Sequence, residues 1–139
     1  MYKTVLITVP SSKEHDIMRN FACLVGIRLP INADLTVQVR RIFKLFPAVY
    51  KNEHTFYNTV YRRIVKMRLT GNAFTPDCEY EILRDTAALI CRRNPYARLK
   101  PTALDLCKMC GYDGTQANQF YQKVKKHFQR HPYSSPTNR

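Results

Sequence analysis

Apolar residues recur along this chain mostly three and four positions apart, which is the spacing of helices with one buried face. Only the opening stretch reads differently: Thr4 to Val9 is a short apolar run closed by Pro10, and it predicts a strand. Ile17, Phe21, Leu24 and Val25 then share one face behind a Ser11-Ser12 cap, so a first helix is expected over about 13–25, ended by Gly26. Leu35, Val39, Ile42, Phe43 and Phe46 predict a second over about 33–46, closed by Pro47. Phe56, Tyr57, Val60, Tyr61, Ile64 and Val65 mark a third, which Thr70-Gly71-Asn72 stops.

Thr75-Pro76-Asp77 is a strong start signal: Thr caps, Pro suits the first helical position, and Asp77, Glu79 and Glu81 complement the positive end of the dipole. The core stripe expected for this fourth helix is Tyr80, Leu83, Ala87, Ile90 and Cys91, with Arg92 and Arg93 at its negative end before Asn94-Pro95. Pro101-Thr102 with Asp105 predicts the start of a fifth helix, which buries Ala103, Leu104, Cys107 and Cys110 and ends at Gly111. Asp113 then caps a sixth, whose stripe is Ala117, Phe120, Tyr121, Val124 and Phe128 and which runs to about Arg130. The expectation is a mainly α fold: a helical bundle of about six helices with a short N-terminal strand, one domain over 1–132 and a flexible tail over 133–139.

Charge turns this fold into a functional question. Of 139 residues, 23 are Lys or Arg and 10 are Asp or Glu, a formal charge of +13. With 45% hydrophobic residues the chain is too rich in burial material for a disordered basic tail, so a folded domain with a polyanionic partner is expected. Residues 40–69 hold eight basic and one acidic residue and 92–139 hold ten and two, whereas the acidic 70–91 segment is accounted for by its helix start. No apolar run approaches the roughly 20 residues of a membrane span, and the N-terminus lacks a signal-peptide pattern, so membrane insertion and secretion are not expected. The five cysteines, an odd number and mostly on core stripes, read as reduced thiols in an intracellular protein, cytoplasmic or nuclear.

Leu106-Cys107-Lys108-Met109-Cys110-Gly111-Tyr112-Asp113 carries the sharpest signal: an apolar residue, a small one, three variable ones, Gly, an apolar residue and a cap. Over 102–130 this resembles the helix-turn-helix class of DNA-binding motif, with Cys107 where Ala is usual, and it points to no particular family. The resemblance implies that the last helix enters the major groove. Its polar face holds Thr115, Gln116, Asn118, Gln119, Gln122, Lys123, Lys126, Gln129 and Arg130, with amides early for base edges and cations late for phosphates. Arg62, Arg63, Lys66, Arg92, Arg93 and Lys108 are the expected backbone contacts. A similar order at Phe21-Ala22-Cys23-Leu24-Val25-Gly26-Ile27 reads as an ordinary helix connection, since Pro30 delays the next helix.

Cys107, Cys110, His127 and His131 offer a rival reading as a zinc site, C-x2-C followed by H-x3-H, although the sixteen residues between the pairs exceed the usual spacing by one. No other cofactor is expected. Catalysis has little support, because only four glycines are present and no phosphate-cradling loop occurs. The expected function is a non-catalytic accessory or regulatory protein, as in transcription control, that binds double-stranded DNA. The alternatives are a nucleocapsid-type or packaging protein on RNA or single strands, and a basic adaptor for an acidic protein partner; a homo-oligomer is compatible with each.

Overall fold

The computed structural model describes residues 12–29, 34–45, 52–71 and 74–131. These form six α-helices: α1 (Ser12–Arg28), α2 (Leu35–Leu45), α3 (Glu53–Thr70), α4 (Pro76–Arg93), α5 (Leu99–Met109) and α6 (Gly114–Arg130). Among the described residues there is no strand, and the stretch expected to form one, 4–9, lies outside them, as does the 133–139 tail. No described helix is long and apolar enough to cross a membrane. Within the span read from sequence as one domain, the packing gathers into two compact units, Met1–Ala73 and Phe74–Arg139.

In the first unit α1 packs on α2 and α3, and α2 on α3. Met18, Phe21, Leu24 and Val25 of α1, Val39 and Ile42 of α2, and Phe56, Val60 and Ile64 of α3 are wholly or almost wholly buried. Full burial of one such side chain is worth about 1.5–3 kcal/mol, and this is what holds three short helices together. Gly26 does not end α1, contrary to the sequence expectation: the helix continues to Arg28. A Cβ at Gly26 would collide with Ile64 Cδ1 and stand 3.2 Å from Leu35 Cδ1, so this glycine permits a close approach of α2 and α3 to α1. α3 has a matched pair of ends. Asn52 accepts from the Thr55 N–H at 3.2 Å, and Gly71 takes the left-handed conformation (φ 73°) that closes the helix.

In the second unit α5 packs against both α4 and α6. Thr75 caps α4 by accepting from the Cys78 N–H at 3.1 Å, with Pro76 at the first position, as the sequence predicts. The buried face of α4 is broader than the expected stripe. Ile82, Thr86, Ala88 and Leu89 join Leu83 and Ala87, while Tyr80, Ile90 and Cys91 are half-buried. One stripe is too narrow because α4 meets two neighbours: α5, and α6 through the edge-to-face pair Tyr80–Phe120, 5.7 Å between ring centroids. α5 begins at Leu99, two residues before the expected Pro101-Thr102 start, with Arg98 at the cap and no side-chain cap bond. Pro101 is tolerated there because the first N–H groups of a helix have no partner within it.

Candidate nucleic-acid interface

The connection between α5 and α6 is four residues long, Cys110 to Asp113, and every turn of it is hydrogen-bonded. Gly111 adopts φ 81°, a conformation that side chains with a Cβ avoid. Its N–H donates to Lys108 O at 3.0 Å, and the Tyr112 N–H donates to Cys107 O at 3.0 Å, the paired bonds of a Schellman motif. α6 then starts on a capping box. The Gln116 N–H donates to Asp113 Oδ1 at 2.8 Å while the Asp113 N–H donates to Gln116 Oε1 at 3.0 Å. Finally, the Tyr112 hydroxyl donates to Glu79 Oε1 at 2.8 Å and ties the connection to the first turns of α4. Cys107 lies fully buried under it.

This frame fixes which face of α6 is covered. Ala117, Phe120 and Val124 are buried, whereas Thr115, Gln116, Asn118, Gln119, Gln122, Lys123, Lys126, Gln129 and Arg130 are all exposed, as expected from the sequence. α6 contains no Asp or Glu, so its outer face bears amides, hydroxyls and cations alone. Two of the expected side chains have further work. Gln116 engages its carbonyl oxygen in the capping box, and its NH2 keeps two donors for an outside partner. The Lys123 ammonium sits 4.1 Å from the centroid of the Tyr80 ring, a cation–π contact from α6 to α4.

The other margin of α6 carries groups that reading α6 alone missed. Lys125, from α6, and Lys100, from the first turn of α5, stand 6.0 and 5.7 Å from the centroid of the Tyr121 ring. The sequence signal was present as Lys125 beside Tyr121 at i+4, but only the packing of α5 on α6 adds Lys100.

The expected backbone contacts fall into three groups. Lys108 is exposed on α5. Arg92 and Arg93 are half-buried in the last turn of α4, where the dipole favours cations. Arg62 and Lys66 are exposed on α3 of the first unit. Arg63, also on α3, donates to Asn20 Oδ1 of α1, so it braces that helix pair.

The zinc arrangement is not assembled. Cys107, Cys110, His127 and His131 are all described, and among the described residues no group of three or more His, Cys, Asp or Glu is placed to hold a metal ion. The physical reason is that Cys107 and Cys110 are buried at the start of the connection, whereas His127 lies 13 residues beyond the first residue of α6, about 20 Å along the helix. His127 and His131 do pair at the end of α6, with ring centroids 5.0 Å apart. His127 is held below the usual histidine value, first by burial and then by the charges of Arg84 and His131, with Asp85 opposing. None of the five cysteines is in a disulfide; Cys78 and Cys91 are half-buried rather than core residues.

No family model matches this chain, nor does any curated protein or solved structure.

Proposed function

We propose that this protein binds double-stranded DNA as a non-catalytic accessory or regulatory protein, with α5, the 110–113 connection and α6 acting as a helix-turn-helix and α6 as its recognition helix. The observation that carries this reading is the exposed face of α6, which holds five amide side chains and four cations without a carboxylate and is presented by a hydrogen-bonded turn. Amides at Asn118, Gln119 and Gln122 suit adenine edges, each good pair worth about 1–3 kcal/mol of discrimination. Lys126 and Arg130, nearer the end of α6, suit phosphates. The formal charge of +13 supplies the long-range attraction.

The test is anisotropy of the full chain with a labelled duplex, competed by single-stranded DNA and by RNA. Duplex binding that competing single strands displace poorly is the expected result. Preference for single strands or RNA would favour the packaging reading, and tight binding only to an acidic protein would favour the adaptor reading; either overturns this one.

A further inference from the structure

Resting on that DNA reading, we infer that α6 carries two phosphate-contacting edges, Lys123 on one margin and Lys125 with Lys100 on the other, and that together they select a B-form duplex over a single strand. Residues two apart on a helix lie about 200° apart around its axis, so Lys123 and Lys125 cannot serve the same margin. Between them runs the ridge of Thr115, Gln119, Gln122 and Lys126.

Each edge is held by an aromatic ring. Lys123 lies against Tyr80 of α4 at 4.1 Å, while Lys125 and Lys100 approach Tyr121 at 6.0 and 5.7 Å. A ring face occupies one side of an ammonium and leaves N–H donors for an outside oxygen, so these contacts position the cations without neutralising them. Among the described residues, none of the three lysines forms an ion pair with a carboxylate. The second edge is built from two helices, which ties the first turn of α5 to the same function as α6.

The dimensions match. A helix with side chains is about 10–12 Å across and the B-DNA major groove is about 12 Å wide, so a helix lying in it has a phosphate wall at each margin. A single strand has one backbone to offer, and the A-form RNA major groove is too narrow to admit the helix.

Salt titration of the full chain tests this, using a labelled random-sequence duplex of about 20 base pairs, two helical turns, and a single strand of the same length. Each phosphate contact contributes about 0.9 to the slope of log affinity against log salt on a duplex. Lys100→Gln/Lys125→Gln should lower the duplex slope by nearly 2 and Lys123→Gln by about 1, and the variant lacking all three should lose its preference for duplex. Lys125→Arg, which keeps the charge, should restore the slope lost in Lys125→Gln; melting curves of each variant check the fold. If the wild type binds duplex but the Lys100→Gln/Lys125→Gln slope is unchanged, the two edges are wrong and the DNA reading stands. If the wild type binds no duplex, both fall.

Discussion

The Tyr112 hydroxyl donates to Glu79 at 2.8 Å, which joins the residue after the left-handed glycine of the α5–α6 connection to the acidic start of α4. In sequence the two are 33 positions apart. Glu79 is explained from sequence by the helix dipole alone, yet it also accepts a hydrogen bond from the turn that presents α6. Tyr112→Phe should cost about 1–2 kcal/mol, the range for a partly buried bond to a charged acceptor, with helix content unchanged. Glu79→Gln, which keeps an acceptor, should cost less. Chemical denaturation of both variants checks the order; equal costs would mean that a neutral acceptor keeps none of the bond and would contradict it.

Gly26 and Ile64 form a close helix crossing in the first unit. Gly26→Ala should destabilise by about 1–3 kcal/mol, because the added methyl meets Ile64 Cδ1. Ile64→Val removes that atom at a cost of about 0.5–1.5 kcal/mol. The double variant should therefore be more stable than the sum of the two losses allows, and a double-mutant cycle by denaturation measures the difference. Strict additivity would contradict the crossing.

The thiols should react in an order set by burial. Burial pushes Cys23 to about 11 and Cys107 to about 12, so at pH 8 the thiolate fraction of Cys107 is only about 10⁻⁴. Native protein treated with a thiol reagent should be modified first at the half-buried Cys78 and Cys91, and at Cys23 and Cys107 only on unfolding. Peptide mass spectrometry reads the sites. Early labelling of Cys107 would contradict its place in the core.

His127 should add to the protein's sensitivity to acid. Its folded value is lowered, so as pH falls through about 6.5 the unfolded chain takes up the proton first, and stability is lost from there down to the folded value. Above that window the group imposes no penalty. His127→Gln should reduce the drop in melting temperature between pH 7.5 and pH 5.5 relative to the wild type. An identical drop in both proteins would show that His127 has no part in it.

Much of this fold was legible in the sequence where local chemistry acts alone. Thr75-Pro76, Gly71, Gly111 and Asp113 mark helix ends because capping needs only neighbouring residues. What was not legible depended on partners distant in sequence. Gly26 looks like a stop until α3 is beside it, and the breadth of the α4 core follows from its contacts with both α5 and α6. Pro101 suggests a helix start that lies two residues earlier, since a first turn accepts proline at several positions. At the candidate site the exposed face of α6 was read from its period. The commitment of Gln116 to the cap was readable as Asp-x-x-Gln, and the Lys100–Tyr121–Lys125 cluster was not, because it joins two helices.

The central claim is that α6 meets duplex DNA through amides that read bases and cations that hold phosphates. The most direct measurement is the salt dependence of duplex affinity for wild type, Gln119→Ala and Lys126→Ala. If six or more phosphates are contacted, wild-type affinity should fall by about 10³–10⁵ between 50 and 200 mM salt. Lys126→Ala should weaken all sequences alike and lower the slope by about 1, whereas Gln119→Ala should keep the slope and relax the preference among sequences. Affinity that does not change with salt, or no binding to any duplex, would contradict the claim.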